Sequence, residues 1–226
     1  MRYQIKLCYF LLIAAVLSLS ACFEVVEEMV IKKDGSGEMT VTLNLSQSKT
    51  KVASILLLDS INGYKVPSKK TIQQNLQEVV VNLRKTPGIS AVSQRLDFDN
   101  YIASIRFSFS KVADLNTVNT LVYDKLKIKP AGESSYNYQP AKHLFVRNYQ
   151  YSIKAKQAYQ KLKNQDKEVF KGATYTSIYK FESPILFQTN KNTKVSGSKK
   201  AVMFRANMLD LISGNKNISN QIQLVN

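Results

Sequence analysis

The sequence predicts an α+β fold in which antiparallel β-hairpins pack with several amphipathic helices. Three observations carry this. Two stretches alternate apolar and polar residues with a period of two, and each is joined by turn-forming residues to a second β-rich run. A long stretch between them repeats its apolar residues at helical spacing. The resulting order of hairpin, helices, hairpin, helix matches a layered α+β arrangement.

The first hairpin joins residues 25–33 to residues 38–45. Met39, Val41, Leu43 and Leu45 share one face, and Glu38, Thr40, Thr42 and Asn44 share the other. Asp34-Gly35-Ser36-Gly37 supplies the turn, and the alternate carboxylates of a calcium loop are absent from it. Residues 48–60 place Val52, Ile55 and Leu56 at helical spacing. Residues 68–86 form a stronger stripe of Ile72, Leu76, Val79, Val80 and Leu83, opened by Ser68 or Pro67 and ended by Pro87-Gly88. The second hairpin runs over 89–98 and 101–109, turning near Asp99-Asn100. Asp114 then caps a helix holding Leu115, Val118, Leu121 and Val122. Residues 129–140, with Pro130, Gly132, two serines and Pro140, read as a loop and mark a possible sub-boundary within one domain spanning 22–226. Beyond it the pattern predicts strands at 144–152, 174–182, 200–206 and 217–225, a helix from 153 to about 164, and a turn at 190–198.

The first residues are read apart from the fold. Arg2 and Lys6 precede a fifteen-residue uncharged apolar run, which ends in Ser20 and Ala21 directly before Cys22. That is the layout of a secretory signal peptide over 1–21. The run is short of the roughly 20 residues a spanning helix needs, and Glu24, Glu27 and Glu28 block its extension. Leu19-Ser20-Ala21-Cys22 resembles the lipobox of bacterial lipoproteins. The resemblance implies cleavage before Cys22, a thioether-linked diacylglycerol on it, and a further acyl chain such as palmitate on its new amino group. It places the chain at the cell envelope, attached to a membrane through Cys22. Phe23 after the cysteine resembles outer-membrane lipoproteins, and the nearby glutamates resemble a surface-export signal. Cys8 is lost with the signal, so no disulfide is expected, and about 205 residues must be held by their core.

Charge is distributed unevenly. The chain carries +16, and losing Arg2 and Lys6 leaves +14. Residues 142–205 hold fourteen Lys and Arg against three acids, a net +11, whereas residues 22–141 are only +3. An anionic membrane surface or envelope polymer fits such an excess, and a solvated lysine-rich surface is the alternative. Lys154, Lys156, Lys161 and Lys163, around one expected helix, are the candidate contacts, with Lys156 and Lys163 near one side and Lys154 and Lys161 near another. Seven of the twelve tyrosines fall between 136 and 179. Tyrosine with lysine suits a stacking platform or a membrane-proximal surface, and an envelope address argues against nucleic acid.

Catalytic constellations find little support. His143 is the sole histidine, with no G-x-S-x-G elbow to serve it. With Cys22 acylated, zinc sites built on His or Cys are set aside, and no cofactor or metal is expected. Ser-x-x-Lys recurs at Ser46, Ser108, Ser177 and Ser196 without its S-D-N and K-T-G companions. Asp97 and Asp99 sit beside a hairpin turn, where aspartate serves the backbone. No nucleotide-binding glycine motif occurs.

Two segments resemble anchored envelope lipoproteins of the LppM type. One is Cys22 followed by Val30-Ile31-Lys32-Lys33-Asp34-Gly35-Ser36-Gly37; the other is Tyr179-Lys180-Phe181-Glu182-Ser183-Pro184 followed by residues 200–211. Ser183-Pro184 stands where that pattern has Pro-Gly. The resemblance implies a domain that holds lipid or lipid-like ligands. The expectation is therefore a non-enzymatic, lipid-anchored binding or assembly module facing lipid, polysaccharide or a partner protein. An envelope hydrolase with an unrecognised active site is the alternative.

Overall fold

The computed structural model describes residues 23–126 and 131–226, and the signal segment and Cys22 lie outside them. The expected fold class holds: the fold is α+β with mostly antiparallel sheets. Strands β1 (Glu24–Ile31) and β2 (Gly37–Asn44) pair antiparallel around the Asp34 turn. Asp34 Oδ1 accepts from the Ser36 N–H at 2.9 Å, and Gly35 adopts φ 84°, which a side chain disfavours. Helix α1 (Lys49–Ile55) is shorter than expected. Residues 60–65 instead form a small hairpin, β3 (Ser60–Ile61) and β4 (Tyr64–Lys65). Helix α2 (Lys69–Arg84) starts at Ser68, whose hydroxyl accepts from the Thr71 N–H at 3.1 Å. Next come β5 (Ile89–Asp97), β6 (Ile102–Phe109) and α3 (Asp114–Leu126).

The expected loop at 129–140 is corrected. Residues 132–139 are strand β7 (Gly132–Gln139), paired antiparallel with β8 (Leu144–Tyr151). Its inward positions include Gly132, Ser134, Tyr136 and Tyr138, which are small or polar-tipped and hide the alternation in sequence. Helices α4 (Ile153–Lys161) and α5 (Asn164–Lys167) lead into β9 (Thr174–Phe181). Then follow β10 (Ile185–Gln188), β11 (Thr193–Val195), β12 (Ala201–Asn207), α6 (Met208–Ser213) and β13 (Asn220–Leu224).

The larger sheet has the order β11-β12-β9-β1-β2-β6-β5, and the smaller has β10-β13-β8-β7. Strands from both sides of the composition shift thus share one sheet. The β1–β9 pair is parallel, aligning Val25 with Tyr175 and Met29 with Tyr179. A main core joins Met29, Phe107 and Tyr179 of the larger sheet, Val79 and Leu83 of α2, Leu115 of α3, and Phe145 and Ile222 of the smaller sheet. A second cluster gathers Phe204, Ala206, Leu211 and Ile218. Among the described residues no helix is long and apolar enough to cross a membrane.

Candidate functional site

Residues of both clusters line a cavity of about 670 Å³. Val25, Val41, Leu43 and Ile105 form its floor on the larger sheet. Leu76 and Leu83 of α2 and Val118 of α3 close one side; Ala155 and Tyr159 of α4 and Leu211 and Ile212 of α6 close another. Gly132 also lines it. A Cβ there would lie 2.4 Å from the Gln150 carbonyl oxygen and 2.5 Å from the Tyr149 ring, so the close packing leaves room for glycine alone.

The floor explains a departure from the sequence reading. Along β2, Met39 is buried, Val41 half-buried and Leu43 39% exposed. The alternation is as expected, but the layer above the strand gives way from packed side chains to hollow. Leu43 faces the cavity instead of a core neighbour.

The wall also carries a buried ion pair that the sequence did not reveal. Glu27 sits on the inward register of β1 with Val25 and Met29, and Arg147 sits on β8. Arg147 Nη1 lies 3.3 Å from Glu27 Oε1, with side chains 3% and 9% exposed. Tyr136 and Tyr179 donate to Oε1 at 3.0 and 3.1 Å, and Tyr175 donates to Oε2 at 2.7 Å. Arg147 in turn donates to the Tyr175 and Tyr179 hydroxyls and to Ser134 Oγ, the last at 3.0 Å. The guanidinium carbon lies 5.0 Å from the Tyr136 ring centre and 5.6 Å from that of Tyr175. Burying two charges is costly unless the remaining hydrogen-bonding capacity is met; hydroxyls meet most of it here. Arg147 Nε is buried without a hydrogen-bond partner among the described residues.

Electrostatics follow from this enclosure. Burial raises the Tyr136, Tyr175 and Tyr179 phenols above their ordinary value, opposed by Arg147 and reinforced by Glu27. Burial works against the Arg147 charge, but Glu27 and the phenols outweigh it and hold the guanidinium well above its ordinary value. The pair is a polar pole of zero net charge set in an apolar wall.

The sequence-predicted residues are otherwise placed. Cys22 lies outside the described residues, but its neighbour Phe23 lines the cavity and stacks edge-on with Phe170 at 6.1 Å. Lys154 is exposed on α4. Lys156 is half-buried, with Nζ 3.4 Å from the Ser213 carbonyl. The expected single helix stops at Lys161, because Leu162 is extended (ψ 147°); Lys163 therefore precedes α5 and does not share a helical side with Lys156. Glu24 lies 3.4 Å from Arg205 and Glu28 is 2.8 Å from Lys180, so with Glu27 all three early glutamates have basic partners in the fold.

His143 is a turn residue at φ 50°. Asp97 Oδ1 accepts the Asp99 and Asn100 N–H groups at 2.9 Å each, the backbone role expected of a turn aspartate. Ser177 is buried, while Lys180, three residues on along the same strand, is half-exposed against Glu28. A period of two puts the pair on opposite faces.

No family model matches the chain, and no curated protein matches it. Among solved structures, the folded domain of LppM from Mycobacterium tuberculosis, determined by NMR, is similar at a TM-score of 0.48 with 10% identity, covering 91% of this chain and 90% of that one.

Proposed function

We propose that this chain is a non-enzymatic envelope lipoprotein, anchored through Cys22, whose cavity holds the apolar chain of an amphiphile with an uncharged polar head. The cavity carries this reading. Protein interiors are close-packed, with few voids larger than a water molecule, and about 670 Å³ falls within the range of ligand sites. Its walls are apolar apart from a few groups. An acyl chain gains about 0.8 kcal/mol for each methylene it buries there.

The ion pair narrows the class of head. A carboxylate or phosphate head would meet Arg147 already neutralised by Glu27, and would pay its own desolvation without a counter-charge. An ester or hydroxyl head needs a hydrogen-bond partner only. The anchor supports the same reading. Phe23 lines the cavity, so a lipid on Cys22 brings that cavity next to the bilayer from which an amphiphile would come.

Titration of the chain from Phe23 onward tests the proposal. With 1-mono-oleoylglycerol, amide NMR shifts are expected at Leu43, Ile105 and Leu211, and weaker ones with oleate. Absence of shifts with both ligands removes the lipid-holding reading. Shifts with oleate alone retain the cavity but remove the uncharged head.

A further inference from the structure

The β3–β4 hairpin gathers apolar side chains outside the core. Leu57 is 87% exposed and Tyr64 61%, with Leu58 and Ile61 exposed beside them. Two-residue strands make a weak hairpin by themselves, yet this one is held in place. Asn62 and Gly63 take φ 53° and 86°, the left-handed pair of a tight hairpin turn. The Val66 N–H donates to the Asp59 carbonyl at 2.9 Å across its base. At its tip, Asn62 Nδ2 donates to Asp166 Oδ1 of α5 at 2.7 Å. The fold thus uses hydrogen bonds to hold apolar side chains in solvent, an arrangement that marks an interaction surface.

The surroundings identify the partner. The 164–170 segment that receives the hairpin tip through Asp166 also receives Phe23 through Phe170. The hairpin therefore lies at the same end of the molecule as the residue following Cys22. Lysines frame it: exposed Lys49, Lys51, Lys65, Lys69 and Lys70 along its own segment, and exposed Lys163 beside α5. Apolar side chains at a tip with basic residues around them suit the boundary between anionic headgroups and acyl chains.

We infer that residues 57–64 form a membrane-docking wedge: Leu57, Leu58, Ile61 and Tyr64 enter the headgroup boundary while the surrounding lysines meet anionic lipid. This rests on the anchored reading above and adds a second point of attachment. It fixes the orientation of the domain on the bilayer.

The chain contains no tryptophan, so Leu57→Trp and Tyr64→Trp each create a sole tryptophan, excited apart from the tyrosines, at an exposed site. Each mature lipidated variant is reconstituted in vesicles of phosphatidylglycerol and phosphatidylethanolamine, with or without brominated acyl chains. The expected result is an emission maximum shifted to the blue relative to water and strong quenching by the brominated lipid, for both variants. Vesicle-bound protein with water-like, unquenched emission overturns the wedge and leaves the anchor standing. Blue-shifted emission that ignores brominated lipid and rises with protein density overturns it in favour of contact between copies. Failure of the chain to associate with vesicles overturns the anchor and the wedge together.

Discussion

Glu27 Oε1 and Arg147 Nη1 lie 3.3 Å apart across 120 residues of sequence, joining the first strand of the larger sheet to the smaller sheet inside the protein. Removing one partner strands the other charge. Glu27→Leu and Arg147→Met are each expected to cost about 3–5 kcal/mol in urea unfolding. The double variant Glu27→Leu with Arg147→Met is expected to cost less than either single change. A double variant that loses the sum of both would contradict the pairing.

The proposed lipid-holding role assigns head selectivity to the same pair. Glu27→Gln leaves the Arg147 charge uncompensated beside the cavity, so oleate binding should strengthen relative to 1-mono-oleoylglycerol. The ratio of the two affinities, measured by calorimetry on folded protein, reads this separately from stability.

Alkaline pH should destabilise the fold. The Tyr136, Tyr175 and Tyr179 phenols are raised above 10.0, chiefly by burial, so each holds its proton more tightly folded than unfolded. Their contribution is fully present below pH 10 and is lost as pH rises through the folded values. In ultraviolet titration these three should ionise only with unfolding. Asp34 and Asp97 act at the other end. The Ser36 N–H holds the first below 3.8 and the Asn100 side chain holds the second, so their stabilisation is present above that value and lost as pH falls through the folded ones.

Leu43, which lines the cavity, and Leu115 of α3, which does not, separate lining from packing. Leu115 is buried in the main core, and Leu115→Ala should cost about 2–5 kcal/mol. Leu43→Ala, facing the hollow, should cost clearly less, while Leu43→Trp should fill the space and weaken amphiphile binding. Equal unfolding costs for the two alanine variants would contradict the cavity floor. Residues 23–226 contain no cysteine, so reductant should leave the thermal midpoint unchanged.

The hairpins β1–β2 and β5–β6 were legible because period-two alternation and turn residues are local signals. Helix α2 was legible from its stripe and the Ser68 cap. β7 was not, since its inward Gly132 and Ser134 do not look apolar and prolines flank it. α6 has six residues, too few to display a helical period. The cavity and its polar pole depend on the parallel β1–β9 pairing and on sheet stacking, which sequence alternation does not specify. Glu27 alternates inward with Val25 and Met29, and tyrosine density rises after residue 136; together these were the available signal for a buried charge. Read one residue at a time, Glu27 is only an acid a few positions after Cys22.

Native mass spectrometry of the full-length gene product, extracted from membranes in detergent, is the sharpest test of the proposed lipid-holding cavity. Such a cavity predicts, beyond a covalent lipid on Cys22, a non-covalent adduct with the mass of an uncharged amphiphile, diminished in Leu43→Trp. A single species carrying the covalent lipid alone, identical in the wild type and in Leu43→Trp, would contradict it.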